Sequence, residues 1–500
     1  MTSDTVTDRG TQAGYRSHSD ALSVVLLLTL CALVVRLPYL GDANADIDEQ
    51  LYSLIGNGIL EGKLPFVDLW DRKPVGLFLL YALAHAIGGP SPLAYQLFAM
   101  GFAVIGALLT RTLALVFVER DIATGAAILY IILMALYGPH SGQTEIFHVP
   151  AMLAMALLVR DPDHPHAIRR ALAAMLIGGL ALQVKYTVLP QCAFFGLWAL
   201  WGQYRHKAPA LRLATLAGLF AMLGLLPTAL AGLFYAAIGE WDAFWFANFV
   251  SFFDRLPAPT GRLVAGDALF LLPLAMLIAV GAYAALRQRM VSDMRSYGFV
   301  AAWLLASLAT VFLPSTVYAY YHAALVPTAI LLGLPFLDRR GPFGLFPLLA
   351  VTALFVSLLY YGTRIEASQR SRTGMAQLTA TIAPLVDDRT RCLWIFDGPT
   401  ALYRETGSCL PTRFIYPDHL NNALERDALG IRQIDEVRRI LAQRPPAVVT
   451  ADIPFTAQNE EVKALVMDRL ERDYEMILRA RIHARTISVW ALRDLPDGGD

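Results

Sequence analysis

Charge is what this chain has least of. Only 16% of its 500 residues are Asp, Glu, Lys or Arg, against about 25% in soluble globular proteins, which excludes an ordinary soluble enzyme. No sign of charge dominates: 41 Lys and Arg face 41 Asp and Glu, so no global basic field points to nucleic acid. Four cysteines are too few for a disulfide scaffold, and 36 Gly and 28 Pro without a period exclude a collagen-like repeat. Disorder is excluded by what fills the space instead, a content of 56% hydrophobic and 11% aromatic residues.

The charges that exist are unevenly placed. Residues 361–500 carry 39 of the 82 charged side chains, which predicts a membrane body, 21–360, followed by an extramembrane domain, 361–500, with a polar tail, 1–20, in front. That tail has no small-residue cleavage site, so the apolar stretch 21–40 reads as an uncleaved first span. Further spans are expected at 93–118, 122–138, 146–159, 171–184, 186–202, 213–238, 264–286, 297–313, 323–337 and 342–360. Basic residues cluster in alternate loops, at Arg160, Arg169 and Arg170, at Arg205, Lys207 and Arg212, at Arg287, Arg289 and Arg295, and at Arg339 and Arg340. These loops are expected inside. Parity then makes 74–88 begin and end on the outer side. At about 1.5 Å per residue this stretch reaches only about 22 Å, short of a core of about 30 Å, so it reads as a re-entrant or interfacial helix. The expected fold is a polytopic α-helical membrane protein of about eleven spans with a C-terminal extramembrane α/β domain, the tail domain lying outside.

In that domain, strand-like runs at 392–396, 447–451, 474–478 and 487–492 alternate with helical patterns at 434–441 and 460–470. It has no phosphate-cradling glycine loop, zinc spacing or G-x-S-x-G elbow, which suggests an accessory role. Cys392 and Cys409 share it and are candidates for a disulfide.

The outer face collects the chemistry. Loop 41–73 reads GDANADIDEQLYSLIGNGILEGKLPFVDLWDRK, with Asp46, Asp48 and Glu49 at one end and Arg72 and Lys73 at the other. Glu145 stands in the outer turn GPHSGQTEIFHV with His148 three residues on. Lys185 and Tyr186 sit at the tip of a hairpin of spans, where a charge is costly. Lys185 snorkelling to lipid phosphate is the competing explanation there. Tyr320 and His322 lie in an outer turn without charge, and Arg255 and Arg262 in an outer amphipathic stretch that reads as an interfacial helix. Carboxylates beside cations divide labour naturally: one carboxylate takes a proton from an acceptor hydroxyl while Lys and Arg neutralise a departing phosphate.

The order of an Asp-Glu pair after the first span (Asp48, Glu49), Tyr52, a G-x-L-P-[FY]-x-D stretch (Gly62, Leu64, Pro65, Phe66, Asp68) and Lys73-Pro74 resembles glycosyltransferase family 39 and its relatives, the bacterial protein-O-mannosyltransferases and aminoarabinose transferases of GT-C fold. The resemblance implies a polytopic enzyme of the bacterial inner membrane. It would take a sugar from a polyprenyl-phosphate donor on the periplasmic face, with inversion, and pass it to a lipid, glycan or protein acceptor. It further implies Asp48 as catalytic carboxylate with Glu49 beside it, Glu145 in support, and Arg72, Lys73 and Lys185 on the donor phosphate. Asp46, Tyr52, His148, Tyr186, Tyr320 and His322 are the expected substrate contacts. This sequence departs from the family in having Val75 after Lys73-Pro74 and Leu51 three residues beyond Asp48. No cofactor is expected. Asp46-Ile47-Asp48 also spells the D-x-D that holds a divalent cation in some membrane glycosyltransferases, but the three cations can supply that charge. A flippase for lipid-linked sugars and a non-catalytic envelope scaffold are the competing readings. The first would bury charges within its spans, and the second leaves the motif at 46–76 without a purpose.

Overall fold

A computed structural model describes residues 6–257, 263–288, 290–291, 293–314, 317–361 and 364–494. Arg262 and Arg289 lie outside them. The chain is mostly helical, and each of the eleven expected spans falls on a helix. Among the described residues six helices are long and apolar enough to cross a bilayer, including Pro92–Ala114, Ala210–Ala237 and Met294–Phe312. Arg120–Leu136, Glu145–Val159, Ala167–Leu182 and Leu189–Arg205 are shorter, at 15–17 residues, about 22–26 Å long. The first helix, Val6–Arg36, reaches back into the stretch expected as a polar tail. The short segment is the 14-residue helix Val75–Gly88. The outer amphipathic stretch is helical from Trp241 to Asp254 with a π-turn over Phe246–Val250.

The tail folds as a four-stranded sheet with helices. Strand β1 (Trp394–Ile395) pairs parallel with β2 (Ala447–Ala451), β2 pairs antiparallel with β4 (Arg485–Leu492), and β4 with β3 (Tyr474–Ile482), giving the order β1-β2-β4-β3. Helices Gln433–Ala442 and Glu460–Asp473 bury Val437, Ile440, Val462, Val466 and Leu470 against it. These are the strands and helices expected from the apolar runs, and Cys392 and Cys409 are bonded.

Loop 41–73 is folded between the two parts. Asp46 caps the helix Ile47–Leu60, its side chain accepting from the Asp48 amide at 2.9 Å. Beyond that helix the G-x-L-P-F-x-D stretch makes a tight turn. Asp68 accepts from the Leu64 amide at 2.7 Å, and the Phe66 amide donates to the Leu69 carbonyl at 2.7 Å. Phe66 holds a left-handed φ of 71°, a strained conformation for an aromatic residue. Its ring is fully buried against Phe78, Tyr235 and Phe244, so the burial of one large side chain offsets the strain and nails the loop to the body. Four residues on, Trp70 is inserted into the tail-domain core against Phe414 and His419, and its amide donates to the Arg413 carbonyl at 3.0 Å.

Candidate functional site

Asp48 lies in the first turn of the loop helix, half-buried, with both carboxylate oxygens engaged. The Tyr320 hydroxyl donates to Oδ2 at 2.9 Å, Gln143 Nε2 to the same oxygen at 3.1 Å, and the Tyr416 hydroxyl to Oδ1 at 2.9 Å. Three segments far apart in sequence thus converge on one carboxylate: the turn before helix Glu145–Val159, the 3-10 turn Ala319–Leu325, and the tail domain. Gln143 also reaches Asp46 at 3.3 Å, and Asp46 is pushed above the usual carboxylate range by burial and by the neighbouring Asp48. Within the D-x-D pattern Asp46 caps the helix by accepting from the Asp48 amide, while the Asp48 side chain takes the three donors above. Among the described residues no group of three or more His, Cys, Asp or Glu is arranged to hold a metal ion.

The turn that supplies Gln143 is fixed from below. Buried Arg36 donates to the carbonyls of Pro139 (2.7 Å), His140 (2.8 Å) and Ser141 (3.0 Å). Glu49, fully buried, accepts from the Gly142 amide. Gly138, at a φ of 118°, lies where a Cβ would strike Tyr320, so its lack of a side chain lets the turn approach the tyrosine. Burial and nearby Asp46 push the Glu49 carboxyl well above the carboxylate range, and its bond to the Gly142 amide tethers the turn.

On the other side of Tyr320, Lys185 donates its ammonium to Glu145 and lies over the Tyr321 ring, 3.6 Å from the centroid, and the Tyr320 ring, 5.3 Å away. Glu145 is 0% exposed and also accepts from the Thr144 hydroxyl at 2.9 Å, with His148 Nε2 3.8 Å away. Tyr186 donates to Asn248 at 2.9 Å and stacks on Phe249. His322 is fully buried beside Phe270 and Phe312, because two residues of 3-10 turn point it away from Tyr320.

The two cations ending the loop part ways. Lys73 is half-buried with its ammonium 5.7 Å above the ring of buried Tyr52, and among the described residues no carboxylate lies within ion-pair distance of it. Arg72, expected on a phosphate, instead makes a two-pronged bond to Glu425 of the tail domain, NH1 to Oε1 at 2.8 Å with NH2 on Oε2. Arg255 joins it, Nε lying 2.7 Å from Glu425 Oε1, and donates to the Tyr318 hydroxyl at 2.9 Å. Burial alone would raise the Glu425 carboxyl, but the two guanidiniums outweigh it and hold it at about 2. Arg72 is therefore a strut between loop and tail domain.

The structure thus gathers Asp48, Tyr320, Lys185 and Glu145 into one chain of contacts, with Tyr52 and Lys73 on the same loop. Sequence reasoning missed Gln143, Tyr416 and Glu425. Gln143 stood two residues from Glu145 in a turn already singled out, whereas nothing in the pattern around Tyr416 marks it.

No protein-family model and no curated protein matches this chain in sequence. Solved structures do match in shape. ArnT from Cupriavidus metallidurans in the apo state superposes with a TM-score of 0.62 at 14% identity, covering 94% of this chain and 98% of that one. The same protein bound to undecaprenyl phosphate gives 0.60 at 14% identity over 94% and 97%. An oligosaccharyltransferase from Archaeoglobus fulgidus gives 0.48 at 12% identity over 86% and 69%. This chain is a polytopic helical membrane protein with a C-terminal α/β domain, and over nearly its whole length its fold is that of ArnT.

Proposed function

We propose that this protein is a membrane glycosyltransferase. It moves a sugar from a polyprenyl-phosphate donor to a lipid, glycan or protein acceptor on the periplasmic face of a bacterial inner membrane. The observation that carries the reading is the Asp48 carboxylate, oriented by three neutral donors, on the same loop as a lysine, Lys73, that among the described residues has no carboxylate within ion-pair distance. A base needs a fixed direction toward its proton, and a leaving phosphate needs a cation not already neutralised. The ArnT fold supports it, since one ArnT structure holds undecaprenyl phosphate.

In this reading the acceptor nucleophile attacks the anomeric carbon as Asp48 takes its proton. The bond from that carbon to the phosphate oxygen breaks on the opposite face, and polyprenyl phosphate leaves with the electron pair, inverting the centre. Lys73 meets the charge developing on the phosphate. Lys185, already bonded to Glu145, adds field across the Tyr320 and Tyr321 rings. The reaction needs no metal or other cofactor in this scheme.

The test is incubation of the purified protein in lipid nanodiscs with undecaprenyl phosphate carrying labelled mannose or 4-amino-4-deoxyarabinose, in the presence of membrane acceptors. Label transferred to acceptor or water, with release of undecaprenyl phosphate, supports the reading. Movement of intact donor across a vesicle bilayer without cleavage supports a flippase instead, and neither outcome supports a scaffold.

A further inference from the structure

The tail domain is fastened to the loop helix by several bonds besides the one to Asp48. Gln50 accepts from the Ala401 amide at 2.9 Å, Ser53 from Arg404 at 2.8 Å, and Arg72 holds Glu425. Trp70 fills the domain's own core. Docking is thus secured by a buried indole, a two-pronged ion pair and two further hydrogen bonds, and one more phenol on a half-exposed carboxylate adds little to it. The Tyr416 hydroxyl has a more specific consequence. Tyr320 and Gln143 both bond to Oδ2 and leave the carboxylate free to turn about that point. The bond at Oδ1 removes this freedom, and it is the one donor of the three that comes from outside the membrane body.

We infer that Tyr416 is a positioning residue for the transfer reaction: the C-terminal domain completes the active site by fixing the Asp48 carboxylate through Oδ1, opposite the hold of Tyr320 and Gln143 on Oδ2. This rests on Asp48 being the base, and it changes the standing of the tail domain. The sugar-transfer unit is then the body and the docked domain together, and the Arg72–Glu425–Arg255 clasp seats the domain so that the phenol meets the carboxylate.

The test uses the full-length protein in nanodiscs and the labelled undecaprenyl-phosphate sugar that the wild type turns over. Tyr416→Phe should lower kcat about tenfold, the scale of one hydrogen bond to a charged group. The KM for donor, the affinity for undecaprenyl phosphate and the thermal midpoint should stay within twofold or a degree or two of wild type. Tyr416→His, whose ring N–H donates from a nearby place, should recover part of the rate. A Tyr416→Phe protein with wild-type kcat overturns the inference. So does one whose kcat, KM and midpoint fall together without rescue by His, the pattern of a merely structural contact. Asp48→Asn in the same assay separates the two levels. If it is inactive and Tyr416→Phe is normal, only the inference falls; if Asp48→Asn is active, the reading of the base falls with it.

Discussion

Replacing Lys185 by Met is expected to destabilise the body before it says anything about chemistry. The ammonium bonds to Glu145, which is 0% exposed, and is itself 5% exposed. Two terms are lost. Contact with the Tyr321 ring, 3.6 Å to the centroid, is worth about 2 kcal/mol when desolvated. Breaking a buried pair from one side costs about 3–5 kcal/mol, because the remaining charge is stranded. The second term dominates, since among the described residues Thr144 at 2.9 Å and His148 at 3.8 Å are what remains beside Glu145. The double variant Lys185→Met with Glu145→Gln removes both charges, keeps a side chain that can bond to Thr144, and should recover at least half of the lost stability. Thermal unfolding of the purified protein in one detergent, followed by tryptophan fluorescence, measures this. Lys185→Met should lower the midpoint by several degrees and the double variant by clearly less. A Lys185→Met protein that melts with the wild type would refute the ion-pair argument, and equal losses in the single and double variants would refute the stranded charge.

Two further outcomes follow from the cations of the loop. Glu425 is held at about 2, below its ordinary 4.5, so its pairing with Arg72 and Arg255 stabilises the docked domain fully above about pH 4.5 and is lost as the pH falls toward 2. Amide exchange over 417–427 should rise through that window in the wild type and be raised already at neutral pH in Glu425→Gln; a flat wild-type profile would contradict the clasp. Lys73→Met should weaken undecaprenyl phosphate binding roughly tenfold to a hundredfold, the scale of one charge-assisted bond, and should lower the unfolding midpoint less than Lys185→Met does, because Arg72 still faces the buried Asp71 carboxylate that Lys73 also steadies. Undiminished lipid affinity would remove Lys73 from the phosphate.

Much of the architecture was legible because bilayer length and strand periodicity leave direct marks. The eleven apolar runs and the four short β-runs of the tail each sit on a helix or strand. The site was legible only in part. Asp48, Lys73, Glu145 and Lys185 were marked by charge where charge is costly. Yet a polar residue in a motif reads the same whether it faces substrate, caps a helix or ties down a turn, and Asp46, Glu49 and Arg72 are engaged in the last two ways or in a strut. His322 shares its turn with Tyr320, but two-thirds of a turn of 3-10 helix separates the two side chains. Tyr416 lay out of reach for a different reason. It is 368 positions from Asp48, and only the docking of a separate domain, led by Trp70 and the Arg72–Glu425 pair, brings it there.

The central claim is that the Asp48 carboxylate does the proton transfer, and Asp48→Asn tests it most directly because the amide keeps size and much of the hydrogen bonding. With the labelled undecaprenyl-phosphate sugar in nanodiscs, the account predicts a fall in transfer of about 10²–10⁴-fold, the contribution of a positioned base, with undecaprenyl phosphate still bound at wild-type affinity. Transfer at the wild-type rate by Asp48→Asn would contradict it.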